Sequence, residues 1–328
     1  MNRKFKTIAF ISLLFITTGI QAQVGKYVWK DSTEGGYAYK YVTNDPVRTR
    51  FYKLKNGLTV ILSPNNKQPR IQAYIATKAG SKTDPKDHTG LAHYLEHMLF
   101  KGTDKFGSLD WSKEKPLLDQ VDNLYEKYNR TTDANERAAI YKEIDRVSGE
   151  AAKYAIPNEY DKLMSSMGSK GTNAFTSFEQ TVYVEDIPNN VLDKYLTVQA
   201  ERFRNPILRL FHTELESVYE EKNISLDNDN RKAIETIFAA MFPKNNYGKQ
   251  TVLGSVEHLK NPSLKAIREY YTTYYVPNNM GVIMSGDFNP NDVIQRIDKA
   301  FSTMKPKAVP AYTFEKEQAI TSPVTRTV

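Results

Sequence analysis

The feature that most constrains this chain is a pair of histidines one helical turn apart, with a glutamate directly before the second. His93 and His97 are two of only five histidines in 328 residues, and Glu96 lies between them. Leu91 and Leu95 recur at helical spacing beside them, which predicts a short helix with one apolar face. Two imidazoles one turn apart can reach a single Zn²⁺, and the glutamate on that face can accept a proton from water. The pattern predicts a metallopeptidase of the inverted zincin type.

Catalytic zinc usually takes three protein ligands and keeps one position for water, so a third ligand should come from another element. A predicted helix near residues 213–226 carries Glu214 and Glu221 seven residues apart, on one face. Spacing alone leaves two alternatives open. These carboxylates could form a solvated acidic face. The third ligand could also be another histidine, and the candidates are His88, His212 and His258.

The first 22 residues predict a secretory signal. Arg3, Lys4 and Lys6 form a basic start, and an apolar run over residues 8–20 follows. The alternative is a membrane anchor, but the run is short for a span of about 20 residues. No other stretch is apolar enough to predict a stable transmembrane segment. We therefore expect an exported protein, in the periplasm or outside the cell.

Charge and cysteine content exclude disulfide bonds and cysteine metal ligands, and argue against a nucleic acid partner. The formal net charge is +7, and three positive charges belong to the predicted signal, which leaves a mild excess of +4. No basic stretch is interleaved with aromatic residues, so we expect no nucleic acid partner. The chain contains no cysteine. Disulfides are therefore excluded, and the metal ligands must be His, Asp or Glu.

The order of predicted elements indicates an α+β fold, a mixed or antiparallel sheet covered by helices on one face. Strands are predicted over 51–55 and 58–63 around Asn56-Gly57, a hairpin signal, and over 71–79, 172–184 and 280–285. Residues 103–170 read as an inserted helical hairpin. We expect an extended lead-in over 23–47, a main domain over 48–304, and a linker or tail over 305–328.

Three stretches in this order resemble the pitrilysin (insulysin) family of zinc metallopeptidases. They are the His93–His97 segment with its following Met-Leu-Phe-Lys-Gly, the Asn-Ala-Phe-Thr-Ser run from Asn173, and the segment from Glu214 to Asn223. The resemblance covers about residues 51–304. It implies the catalytic half of a two-half clamshell that closes around a peptide.

The resemblance also implies roles for individual residues. His93, His97 and Glu221 would bind one Zn²⁺, Glu96 would be the general base, and Glu214 would hold a ligand histidine. An edge strand would bind substrate as an added strand, through the residues Asn173, Ala174 and Phe175. The 123 residues between His97 and Glu221 exceed the family's usual gap, which fits the insertion.

We therefore expect a zinc-dependent endopeptidase that cleaves peptides or small unfolded proteins after export. One alternative is a half that binds zinc and extended peptide without cutting on its own, in need of a separate second-half chain or of self-association. A second alternative is a structural subunit in which zinc braces two helices. That site would need a fourth protein ligand, for which His88 is the nearest histidine.

Overall fold

The computed structural model describes residues 27–328, so the predicted signal over residues 1–22 lies outside the described part. The described residues contain one sheet of eight strands. In chain order these strands are β1 (Trp29–Glu34), β2 (Tyr37–Val42), β3 (Arg50–Lys53), β4 (Thr59–Pro64), β5 (Arg70–Thr77), β6 (Lys170–Thr176), β7 (Thr181–Pro188) and β8 (Met280–Gly286). Their spatial order is β1-β2-β3-β4-β8-β5-β7-β6. Only β4 and β8 pair in parallel.

Eleven α-helices accompany the sheet in the described range. They are α1 (Leu91–Met98), α2 (Trp111–Arg130), α3 (Ala134–Ala152), α4 (Glu159–Ser166), α5 (Leu192–Arg202), α6 (Phe211–Leu226), α7 (Asp229–Met241), α8 (Asn246–Lys249), α9 (Val256–Leu259), α10 (Leu264–Tyr274) and α11 (Pro290–Phe301). The predicted α+β class with a mixed sheet is confirmed.

The helices cover one face of the sheet, and burial therefore alternates along its central strands. In β5, Ile71, Ala73 and Ile75 are fully buried, whereas the residues between them are partly exposed. This is the period of two that places successive side chains on opposite faces. Helix α1 packs against β6 and β7, and α11 packs against β4. The histidine-bearing helix therefore lies over the strand at one edge of the sheet.

Two stretches differ from the sequence-based expectation. The single strand predicted over 172–184 is wrong, because β6 and β7 form an antiparallel hairpin there. The Ser177 hydroxyl accepts the backbone N–H groups of Glu179 and Gln180, which closes the turn. The segment expected as an extended lead-in contains β1 and β2, which extend the sheet beyond β3.

The predicted helical hairpin is formed by α2 and α3. The Asp133 side chain accepts the backbone N–H of Glu136 and caps α3. At the base of the hairpin, the guanidinium of Arg209 forms a fully buried ion pair with Glu114 on α2. Arg209 also donates to the carbonyl oxygens of residues 101, 103 and 106. The insertion is thus tied to the loop that follows α1.

The residues after α11 form no helix or strand, but they contact the domain. The Glu317 carboxylate accepts the backbone N–H groups of Lys244 and Asn245, 2.9 and 2.8 Å away. The Tyr312 hydroxyl donates to the Asn245 side chain. We call residues 305–328 the C-terminal tail. Among the helices of the described residues, none is long and apolar enough to span a bilayer.

Candidate metal centre

Helix α1 begins at a backbone position that only glycine adopts easily. Gly90, its N-cap, has a φ of 84°, and a Cβ there would meet the Leu253 carbonyl oxygen at 2.6 Å. The Asp84 carboxylate accepts the backbone N–H groups of Gly90 and Ala92, 2.8 and 2.9 Å away. The neighbouring Thr89 does not cap the helix, since its hydroxyl bonds to the ring of His258. A buried carboxylate therefore fixes the start of the helix.

Three side chains meet beside α1. The Nε2 atoms of His93 and His97 are 3.2 Å apart, and Glu221 Oε2 on α6 lies 3.4 and 3.6 Å from them. They are the only group of three such residues in the described range that could hold a metal ion. Two bonds of about 2.0–2.1 Å meeting at a tetrahedral angle place ligand atoms about 3.3–3.4 Å apart. The three atoms therefore have the spacing that a tetrahedral zinc ion requires.

Another glutamate of α6, Glu214, fixes the orientation of the His97 ring. The Nδ1–H of His97 donates to Glu214 Oε1 at 2.8 Å, which turns Nε2 toward Glu221. The Lys101 ammonium pairs with the other oxygen of Glu214. Both partners are largely shielded from solvent, since the Lys101 and Glu214 side chains are 19% and 13% exposed. Lys101 was not singled out from sequence, because nothing in its spacing links it to Glu214.

The surroundings of this centre shift the pKa values of His97, Glu214 and Glu221. Burial raises the pKa of the Glu214 carboxyl, but hydrogen bonds and charge from His97 and Lys101 outweigh burial and lower that pKa. Burial lowers the pKa of His97, but hydrogen bonds to Glu214 and Glu221 outweigh burial and raise that pKa to about 9. Hydrogen bonds from His93 and His97 hold the pKa of the Glu221 carboxyl well below its usual range. The carboxylate form of Glu221 is the one that binds a metal ion, so its lowered pKa favours the ligand state, whereas a metal ion must displace a proton from His97, whose pKa is raised.

Glu96 does not join the ligand group and instead faces the sheet edge. Its carboxylate is buried, and Oε2 accepts a 2.5 Å hydrogen bond from the Thr176 hydroxyl at the end of β6. Thr176 belongs to the Asn-Ala-Phe-Thr-Ser run, but no spacing or motif links it to Glu96, which lies 80 residues earlier. The bond joins the carboxylate of α1 to strand β6.

Strand β6 is the last strand of the sheet and pairs only with β7 among the described residues. Its outer edge therefore offers unpaired backbone groups, to which an extended chain can add. Ala174 is partly buried, whereas Asn173 and Phe175 are exposed, Phe175 by 47%. The three residues predicted to bind substrate thus lie on an edge strand that packs against α1, the helix of His93 and His97.

The other histidines lie outside the ligand group. His212 bonds through Nδ1 to the Tyr125 hydroxyl on α2, and His258 bonds to Thr89. His88 is absent from the group as well, so no fourth protein ligand is present in the described range. Three is the number of protein ligands that catalytic zinc sites usually have.

Comparison with known proteins places the chain among peptidases. The family model "Insulinase (Peptidase family M16)" matches residues 59–120 and 145–253, and the model "Peptidase M16 inactive domain" matches residues 262–327. The unmatched residues 121–144 fall within the α2–α3 hairpin. The rest of the predicted insertion, residues 103–120 and 145–170, lies inside the matched part.

Individual relatives are considerably longer than this chain. It is 27% identical over 264 residues to a zinc protease, PqqE, of Helicobacter pylori, covering 78% of this chain and 48% of that one. It is 24% identical over 281 residues to human insulin-degrading enzyme, covering 82% and 23%. The crystal structure of a protease from Helicobacter pylori superposes with a TM-score of 0.62 at 26% identity, covering 80% of this chain and 53% of that one. The chain spans half or less of the length of these two curated relatives.

Proposed function

The chain belongs to the insulinase family of peptidases, M16, and on that premise we propose that it is the zinc-binding half of an endopeptidase. The observation that carries the proposal is the spacing of three ligand atoms, 3.2 to 3.6 Å apart, beside a buried glutamate. His93, His97 and Glu221 hold one zinc ion, and Glu214 keeps His97 in the tautomer that binds it. When bound, zinc supplies a Lewis acid that polarises a carbonyl and acidifies water.

The residues of this chain carry out positioning and proton transfer. Glu96 accepts the proton of the attacking water and passes it to the amine that leaves. The Thr176 hydroxyl holds the Glu96 carboxylate in place through their 2.5 Å bond. The peptide adds to β6 as a further strand along Asn173, Ala174 and Phe175, so its backbone is held beside the metal ligands. Because this pairing uses the backbone of the peptide, peptides of many sequences can bind in extended form.

Zinc loading and turnover of the Glu96→Gln variant test this proposal. Glutamine keeps the size of the side chain and its bond to Thr176, but it cannot accept a proton. We expect full zinc occupancy and loss of hydrolysis of a quenched fluorescent peptide library by at least about 100-fold. Glu220→Gln on the exposed side of α6 is the control. Turnover that persists in Glu96→Gln would remove Glu96 from the role of base.

A partner-dependent form of this function is the second candidate. It rests on the relatives' length and on a solved neighbour, the first half of the periplasmic protease PqqL from Escherichia coli, which covers 82% of this chain with a TM-score of 0.61. In this form, residues 48–304 bind zinc and peptide, residues 103–170 are an insertion, and residues 305–328 lead toward a second half. One bound zinc without turnover, restored by adding a second-half chain, distinguishes this candidate from a self-sufficient enzyme.

We further propose export to the periplasm or the outside of the cell. The support is the basic and apolar pattern of residues 1–22, together with the periplasmic relative among the solved structures. Substrates are then peptides or small unfolded proteins outside the cytoplasm. Fractionation of cells that express the chain with and without residues 1–22 tests this proposal, since only the full chain should leave the cytoplasm.

A further inference from the structure

A second concave site lies behind the metal centre, between the α2–α3 hairpin and helices α6 and α9. We call it the hairpin cavity. Its volume is about 780 Å³, within the range of roughly 300–1,000 Å³ that is usual for ligand sites. Aromatic and charged side chains line it, among them Tyr128, Tyr141, Lys142, Glu216, Tyr219 and Lys260.

The hairpin cavity and the metal centre use opposite sides of α6. Tyr219 and Glu216 lie about 140° and 200° around the helix from Glu214, since successive residues turn by about 100°. Glu214 and Glu221 face α1, whereas Tyr219 and Glu216 face the hairpin. A molecule in the cavity therefore contacts the rear of the helix that carries Glu221.

The outer wall of the cavity belongs to the insertion. Tyr128, Tyr141 and Lys142 fall within residues 121–144, the stretch that the family model leaves unmatched. The residues that form this wall therefore lie outside the part of the chain that the family model matches. The α6 part of the inner wall lies in the matched part of the chain, whereas Leu259 and Lys260 fall between the two matched regions, which end at residue 253 and begin again at residue 262.

The charges of the lining are of two kinds. Arg137 already has partners within the hairpin. It donates to the carbonyl oxygens of Tyr128 and Thr131, and its guanidinium lies 3.8 Å over the Tyr128 ring. Lys142 and Lys260, on opposite walls, form no ion pair with a described residue, and neither does Glu216. Lys260 lies 5.6 Å over the Tyr219 ring. Two ammonium groups and one carboxylate are thus available around an aromatic floor.

We propose that the hairpin cavity binds a short peptide with free termini and apolar or aromatic side chains. Its terminal carboxylate pairs with Lys142 or Lys260, its terminal amine pairs with Glu216, and its side chains pack on the tyrosine rings. A purely anionic amphiphile would bring its charge toward Glu216, and a neutral apolar molecule would leave the lysines unused. This site is separate from the proposed zinc chemistry and does not depend on it.

Calorimetric titration with the tripeptide Phe-Leu-Phe tests the proposal. The protein is the zinc-loaded full chain carrying Glu96→Gln, so that the probe stays intact. We expect the free peptide to bind at least roughly tenfold more tightly than the same peptide with acetylated and amidated ends, because two charge pairs are lost. Equal binding of the two peptides, or no binding of either, overturns the proposal.

Substitutions within the hairpin separate this cavity from the cleft at the metal centre. Ala138→Trp fills the cavity, and Ala139→Trp places the same bulk at the neighbouring exposed position outside the lining. We expect Ala138→Trp to abolish binding of Phe-Leu-Phe and Ala139→Trp to preserve it, with unchanged circular dichroism in both. Lys260→Gln should weaken binding several-fold. Full binding by Ala138→Trp places the peptide elsewhere and overturns the proposal.

Discussion

At the scale of single residues, the metal centre depends on where each glutamate lies around α6. Glu214 and Glu221 contact the histidines, while Glu216 and Glu220 face away. The spacing of seven residues predicts the shared face, because periodicity determines direction. The spacing could not show whether the third ligand is a carboxylate or a histidine. That choice depends on which side chain the fold brings close to the two histidines of α1, and 123 residues separate His97 from Glu221.

Replacing Glu221 by alanine should weaken zinc binding by more than about 100-fold. Loss of a supporting residue alone typically costs 10–100-fold, and Glu221 supplies one of three ligand atoms. Competition with a fluorescent zinc chelator measures the change. Glu220→Ala, one position away and exposed, should leave the affinity unchanged. Full zinc affinity in Glu221→Ala would identify another carboxylate as the ligand.

Lys101 is expected to act on zinc through Glu214 rather than by contact. Lys101→Met removes the cation that holds one oxygen of Glu214, so His97 loses part of its orientation. We expect zinc affinity to fall by roughly tenfold, and Lys101→Arg to restore most of it. Lys105→Met, at an exposed position nearby, is the control. If Lys101→Met lowers thermal stability without changing zinc affinity, its role is structural only.

At the scale of elements, distant side chains hold α1 in place at both ends. Asp84 caps its first turn, and the buried Arg202 on α5 donates through Nε to the Leu99 carbonyl oxygen at its end. Local sequence predicts the helix from Leu91 and Leu95. It does not predict the cap, because Asp84 lies six residues before Gly90 across a folded loop. The turn at Ser177 was missed for a similar reason, since the alternating pattern continues through it.

Asp84→Ala should destabilise the start of α1. Two buried backbone N–H groups lose their acceptor, and each such loss costs about 1–3 kcal/mol, so we expect a fall of roughly 2–6 kcal/mol in the free energy of unfolding. Urea denaturation measures it, and hydrogen exchange at Gly90 and Ala92 locates it. Asp87→Ala, exposed in the same loop, should have little effect. Unchanged exchange at both amides would contradict the capping role.

The free energy of unfolding should respond differently to single and double substitution of the buried ion pair Arg209–Glu114. Arg209→Met leaves Glu114 charged and unpaired in a site with no exposure, which costs about 3–5 kcal/mol. Arg209→Met combined with Glu114→Leu removes both charges and should recover part of that loss. Guanidinium unfolding of the single and double variants measures the coupling. A double variant less stable than Arg209→Met would show that the hydrogen bonds to the loop dominate.

At the scale of the whole molecule, the C-terminal tail adds contacts that its composition did not predict. Pro-rich and polar sequence indicated a linker, but Glu317 and Tyr312 bind the segment between α7 and α8. Isolated polar residues give no periodic signal, so such contacts are not visible from sequence. The α+β class and the order of the main elements were predictable, because long amphipathic patterns determine them.

Truncation after Lys307 should expose the segment between α7 and α8. The backbone amides of Lys244 and Asn245 lose their acceptor, so we expect faster hydrogen exchange there and earlier proteolytic cleavage near residue 243. Exchange in β5 should stay unchanged, since its ladder partners β7 and β8 remain. The full chain carrying Lys316→Ala serves as the control. Equal protection of Lys244 with and without the tail would mean that the tail is not bound in solution.

The parallel pairing of β4 with β8 has a consequence for the order in which the chain can fold during synthesis. Strand β8 lies between β4 and β5, although more than 200 residues separate it from β5 in sequence. Until residue 286 has left the ribosome, β4 and β5 each present an unpaired edge rich in apolar side chains. At roughly 5–20 residues per second, that interval lasts on the order of ten seconds or more. Over that interval both edges can pair with other extended chains, so the nascent chain is exposed to aggregation until β8 joins them.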